Sequence, residues 1–371
     1  MFEQIITLSL ASMLQFGTPI LIAALGGVIT ETSGVVNLAL EGLMRMGGFF
    51  AIVGAYFSGD PWIGLLAGIV IGVIMGLLQA YICVTWRGDQ IIYGVAINIF
   101  ALGGMTYLLE RIFNTTGHSP SVQSFSSGIA LSLDTARWFL FTLLLLAFGG
   151  LIYWLFRRMR ALKDKKPWVW LLVAGIVGIP SAFFLSSIQT LINILWGAFD
   201  KQTIFVYFAL VLPFLMHFLL FKTKWGLRIR SVGENPKAAD TVGINIYLIR
   251  YLCVIAACIL GAIAGAAMSI GQLDIFDNHM PAGKGFIALA AMIFGRWKPI
   301  PTLLAVLFFT LAGVAGDVIQ MLSATYPGLQ AIPRGWLGSF PYILTLLALA
   351  GFAGKAVAPA ADGIPYEKGE K

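Results

Sequence analysis

Glu41 and Arg45 stand four residues apart inside an apolar run, so a helix through them stacks a carboxylate and a guanidinium on one face. Asn37 lies four residues earlier on the same stripe, and Asn98 and, less strongly, Gln79 add amides within other apolar runs. A lone charge in hydrocarbon is expensive, and pairing reduces the cost. The chemistry on offer is hydrogen bonding: such groups can receive the hydroxyls and base edges of a polar solute as it sheds water. They can equally lock helices together. Asn37 and Asn98 stand open between those readings, with Glu41 a further candidate for the path, whereas the Glu41–Arg45 pair reads first as a lock. Nothing points to catalysis. His118, His217 and His279 are isolated from each other and from Cys or clustered carboxylates, and no Ser/His/Asp or paired-carboxylate arrangement stands out. No metal or cofactor is implied.

A second constellation runs from Lys224 to Asn245, a polar and patterned stretch far longer than an ordinary connection. Pro236 suits a first helical turn, Asn235 can cap it, and Gly243 suits its C-terminal stop. The spacing predicts a short helix from Pro236 to Val242. Gly233 and Glu234 lead into it and Asp240 lies within it. Ala238 and Ala239 are small enough to seat in a cleft on a partner. A solvated basic loop would explain the Lys and Arg here, but not the Gly-Glu-Asn-Pro…Gly order.

These residues need elements to hold them, and the composition says which. The 371 residues are 59% hydrophobic and only 11% charged, where a soluble domain has about a quarter charged. Apolar runs of roughly 17 to 25 residues match the length of a helix crossing about 30 Å of hydrocarbon. Backbone amides in lipid must bond internally, so the runs are helices; the short alternating segments of a β-barrel are absent. The expected fold is an all-α, polytopic transmembrane bundle of about 10–11 spans. They are 5–29, 35–57, 62–86, 90–110, 136–156, 167–188, 202–221, 248–271, 283–296, 299–321 and 336–354, the ninth short and broken or re-entrant.

The net charge of +7 does not imply nucleic acid, because Lys and Arg sit in short loops between the runs and no polar helix displays them. They set orientation instead. The clusters Arg157–Lys166 and Lys222–Lys237 should be cytoplasmic, and counting outward places Arg87, Arg296–Lys298 and the C-terminus inside as well. The N-terminus and segments 111–135, 189–201, 272–282 and 322–335 then fall outside. The apolar start, Met1 to about Ile29, is too long for a signal peptide and reads as the first span. Cys83, Cys253 and Cys258 lie in apolar runs and behave as small hydrophobes.

Residues 1–356 form one expected membrane domain, with the patterned loop 223–246 inside it; 357–371 form a cytoplasmic tail. The tail and the outer loop 113–135 read as mobile surface. The stripe Gly68-x-x-x-Gly72-x-x-x-Gly76 offers a smooth groove for close helix contact. Residues 37–44 loosely echo 286–293, one stretch in each half; the echo is either a transporter-type repeat or chance between Ala/Leu-rich helices. Asp274 and Asp277 are outer acidic groups, solvated or facing a delivery protein.

The segment from Lys224 to Asn245, with its Gly-Glu-Asn-Pro…Gly order, resembles the coupling loop of permeases from the branched-chain amino acid/ribose/nucleoside group of ABC importers. Residues 24–42, 282–297 and the Pro341-Tyr-Ile-Leu-Thr-Leu run resemble the group too, and Ser33-Gly-Val-Val-Asn-Leu-Ala-Leu-Glu-Gly42 is most similar to nucleoside-type members. The resemblance covers about residues 17–110 and 205–350; 111–200 fits less well. It implies ATPase-coupling roles for Gly233, Glu234, Asn235, Pro236, Ala238, Ala239, Asp240 and Gly243. It also implies cytoplasmic ABC ATPase subunits, a second permease subunit (paralogue or self) and an extracytoplasmic binding protein or lipoprotein. The expected function is translocation of a nucleoside, or next a simple sugar, across the inner membrane. The chain itself lacks the Gly-x-x-x-x-Gly-Lys-[Ser/Thr] loop, so ATP belongs to a partner. The rival reading is an ion-gradient-driven transporter with Glu41 as a proton-linked carboxylate.

Overall fold

A computed structural model describes residues 2–125, 193–323 and 356–367, with single positions 336, 339 and 343. The chain divides into two units, residues 1–11 with 129–202, and residues 12–128 with 203–371. In the first unit, residues 193–199 are helical, with Trp196 and Ala198 buried and Gln202 donating to the Ala198 carbonyl. The candidate site lies in the second.

The described elements are helical; among them the only strand-like feature is a single antiparallel bridge between His118 and Asp277. In chain order they are α1 (Phe2–Thr32), α2 (Leu40–Ser58), α3 (Pro61–Ala80) with a π turn (Tyr81–Thr85), and α4 (Gln90–Phe113). Then come α5 (Ile204–Lys222), α6 (Lys224–Glu234), α7 (Pro236–Thr241), α8 (Ile246–Met268) with a π turn (Ser269–Leu273), α9 (Lys284–Phe294) and α10 (Pro299–Ser323). Local sequence sets the starts. Asp60, Asp89, Thr223, Asn235 and Asn245 each accept an N–H from the first turn of the helix that follows, relieving donors left unpaired there.

Among the described residues, six helices are long and apolar enough to span a membrane: α1, α3, α4, α5, α8 and α10. At 19 residues α2 is also long enough, but it carries Glu41 and Arg45 and is mostly buried. The expected short ninth span is α9, whose 11 residues reach only about 16 Å, half the hydrocarbon thickness. The span expected at 35–57 starts later, because 33–39 is not helical. The expected spans 136–156 and 167–188 and the loop 157–166 lie outside the described residues, as do the span 336–354 apart from positions 336, 339 and 343 and the Pro341 run apart from Ile343.

The centre is a mutual packing of α2, α3 and α8, with α4 on α2 and α9 between α2 and α10. The glycine stripe of α3 makes this closeness possible. A Cβ on Gly72 would lie 2.9 Å from the Ile259 Cα, and one on Gly76 would lie 2.7 Å from the Ile255 Cα. The groove expected from the sequence is therefore filled by the backbone of α8.

Two segments expected as mobile surface are packed where they are described. In the outer loop, Ser119, Val122 and Phe125 donate backbone N–H groups to Phe276, Asp274 and Ile270. In the tail, Ala361 and Tyr366 are buried and the Ala361 N–H bonds to Gly233. Composition marks both as polar and turn-rich, but their backbone groups find partners in other segments rather than in water.

Candidate functional site

Two arrangements hold the predicted residues. The first is a handle made of α6 and α7. Gly226 lets α6 press against the Leu219 and Leu220 carbonyls at its elbow with α5, and Arg230 Nε donates to the Leu220 carbonyl at 3.1 Å. Gly233 then meets the backbone of Thr32, where a Cβ would collide. Asn235 Oδ1 accepts the Ala238 N–H at 3.0 Å, Pro236 opens α7, and Gly243 ends it at φ +81°. The short helix is where the spacing puts it. Its faces differ from the expectation in one respect. Ala238 points outward, but Ala239 is 3% exposed and packs into the chain's own core. The outward set is Glu234, Asn235, Lys237, Ala238, Thr241 and Val242, with Asp240 half-buried. Val242, 75% exposed, is an apolar tip that the sequence reading used only as a helix boundary.

The second arrangement surrounds the break between α1 and α2. Helical backbone satisfies itself, so seven residues of non-helical chain within a bundle need side chains as partners. Gln90 Oε1 accepts the Val36 N–H at 2.7 Å, and Asn37 Oδ1 accepts the Ala39 N–H at 3.2 Å. Asn98 is bidentate: Oδ1 accepts from Gly42 at 2.7 Å and Nδ2 donates to the Leu38 carbonyl at 2.8 Å. Glu31 accepts the Trp297 indole N–H at 2.6 Å. Gly34, at φ +85°, makes the turn itself.

Glu41 holds the start of α9. Its two oxygens accept the Gly283 and Gly285 N–H groups at 2.9 and 2.8 Å. Gly283 sits at the N-cap in the left-handed region, φ +82°, and has no side chain to cap with, so a carboxylate from α2 does it from outside. A Cβ on Gly285 would be 2.5 Å from the Glu41 nitrogen, so glycine keeps the approach open. Arg45 stands 3.9 Å from Glu41 and donates through Nε to the Asn278 carbonyl at 2.9 Å; Asn278 in turn bonds Thr106 on α4.

The structure thus brings Asn37, Glu41 and Asn98 to one broken region. It engages Glu41 and Asn98 with backbone; Asn37 keeps a buried Nδ2 without a hydrogen-bond partner. Gln79 joins a different contact, accepting from Cys258. Sequence reasoning missed Glu31, Gln90, Asn278 and Trp297 as members. Their signal was faint: each is one polar or indole group near a run's end, and only the fold shows that the broken backbone needs them.

A sequence model of the family "Branched-chain amino acid transport system / permease component" matches residues 9–163 and 164–359. The guanosine ABC transporter permease protein NupQ of Bacillus subtilis is 34% identical over 377 residues, covering 99% of each chain. The nucleoside ABC transporter permease protein NupC of Lactococcus lactis is 33% identical, covering 96% of each. The putative glucose ABC transporter permease protein TsgC13 of Haloferax volcanii is 27% identical, over 85% of this chain and 77% of that one. No solved structure matches the chain. With a half-length helix pinned by a buried carboxylate, a broken helix held by amides and a capped, exposed handle, this multi-pass chain belongs to the branched-chain amino acid transport system permease family of ABC importers.

Proposed function

We propose that this permease subunit carries nucleosides across the inner (plasma) membrane, with its N-terminus outside and its C-terminus in the cytoplasm. The observation that carries the solute class is the near-full-length similarity to permeases named for guanosine and for nucleosides. Simple sugars are the second reading, favoured by the similarity to a protein named for glucose. The orientation rests on charge and packing together. Segments that the basic loops assign to the cytoplasm meet one another: Thr32 meets Gly233, Glu31 meets Trp297, and Arg87 meets Glu367. Segments assigned outside also meet, 119–125 against 270–276.

The α6–α7 handle is the ATPase contact, with Glu234, Asn235, Pro236, Ala238, Asp240 and Gly243 forming or shaping it. Gly233 and Ala239 seat it on the bundle. ATP is bound by partner ATPase subunits; a second permease and an extracytoplasmic binding protein or lipoprotein complete the importer. Asn37, Glu41 and Asn98 shape the path by fixing the break and the half-helix, and Asn37 Nδ2, which has no hydrogen-bond partner, is a group left for solute. Glu41 already accepts two backbone N–H groups, which speaks against a proton-carrying role.

Uptake of labelled guanosine by cells expressing the chain with its neighbouring subunits tests this. ATP depletion should abolish uptake and an uncoupler at maintained ATP should spare it. The reverse pattern overturns the ATP-driven reading, and competition by glucose but not by other nucleosides overturns the solute class.

A further inference from the structure

Residues 361–367 lie against the end of α6, the α1–α2 turn, α8 and the residue ahead of α4. The Ala361 N–H donates to the Gly233 carbonyl at the end of α6, 2.9 Å away. On its other side the strand of chain closes over the α1–α2 turn: a Cβ on Gly34 would be 2.9 Å from the Ala361 oxygen, and Gly363, at φ +75°, lies against Val36. Arg250 of α8, 1% exposed, donates through Nη1 to the Ile364 carbonyl at 3.0 Å. The Tyr366 ring packs edge-on to Tyr247 at 6.1 Å, and the Tyr247 hydroxyl donates to the Tyr366 carbonyl at 3.4 Å. Glu367 pairs with Arg87, ahead of α4, at 2.6 Å.

Here a segment with no helix of its own fills a groove between the handle and the broken helix, and covers an otherwise open buried guanidinium. We infer that residues 361–367 are a coupling strap, positioning residues that tie the α6–α7 handle to the α1–α2 break and the α4 entrance so that the three move together. The inference rests on the reading of α7 as the ATPase contact. Without the strap, the handle would still be gripped, but its displacement would reach the break only through the Gly233–Thr32 contact.

The Arg87–Glu367 pair offers the cleanest test, because both side chains are partly exposed and tolerate exchange. The assembled importer is compared as wild type, Arg87→Glu, Glu367→Arg and the charge-swapped double variant. Three quantities are read: ATPase retained on purification, thermal midpoint, and solute imported per ATP hydrolysed. The strap predicts that each single reversal keeps the ATPase and the midpoint but lowers solute per ATP by roughly threefold or more, the scale of a lost exposed pair. The swap should restore it. Ala361→Pro, which removes the donor to Gly233, should act in the same direction. Single variants with an unchanged ratio, or a swap that restores nothing, overturn the strap. Failure of the wild-type chain to hold an ATPase would overturn the handle reading itself and, with it, this inference.

Discussion

Glu41 shows how much a single side chain decides. The i, i+4 spacing with Arg45 was visible in the sequence, and so was the reading of the pair as a lock. What the lock holds was not visible, because its targets are two backbone N–H groups some 240 positions away in the chain. Glu41→Ala leaves those donors unsatisfied and removes the charge partner of Arg45. Its expected cost is about 1.5–3 kcal/mol, the range for hydrogen bonds to a charged group. Thermal unfolding in detergent measures it; a midpoint equal to wild type would refute the capping role. Asp362 belongs to the same scale. Burial pushes its carboxyl up to about 7 against the opposing pull of the Gly363 N–H and Arg250; the other carboxyl near it is Glu31. A folded value raised above the usual 3.8 favours the protonated, docked form. Its contribution is full below about pH 4 and is lost as pH rises through about 7. Asp362→Asn should flatten the stability profile between pH 5 and 8, and profiles that stay parallel would contradict this.

Among the elements, the α-helices were legible wherever an apolar run had clean ends, and the short handle helix was legible from Asn235, Pro236 and Gly243. The facing of Ala239 was not. Which side of a six-residue helix looks inward depends on what arrives beneath it, here the start of α8. The π turns after α3 and α8 also left no sequence signal, since no residue in Tyr81–Thr85 or Ser269–Leu273 marks a widened turn. The stripe on α3 was legible as a groove, and the structure supplies its occupant. Gly72→Val would drive branched methyls into the α8 backbone, where a Cβ alone already comes within 2.9 Å. Overpacking of this kind costs roughly 1–3 kcal/mol where the neighbour can yield and more where it is backbone. The expectation is a large loss of folded protein in membranes, measured as the monodisperse fraction on detergent extraction, with Gly103→Val, which faces open space, as the unaffected control.

For the whole molecule, the sequence and the structure converge on one division of labour. Apolar helices provide the envelope, a broken helix and a half-helix provide the polar interior, and one patterned loop provides a capped, exposed handle, which is the proposed ATPase contact. The tail was misread from composition because low hydrophobicity describes solubility in isolation, whereas a docked segment is held by its backbone donors and by carbonyls supplied by others. The central claim is that a cytoplasmic ATPase grips α7. A photoreactive or thiol cross-linker at Val242→Cys, the exposed apolar tip, tests it most directly in inverted membrane vesicles carrying the assembled importer. The native Cys83, Cys253 and Cys258 are buried and leave a clean background. The account predicts a cross-link to the ATPase that requires no solute, and reaction with an impermeant thiol reagent in inverted but not right-side-out vesicles. Labelling from the outer face, or an ATPase that never cross-links to this position, would contradict it.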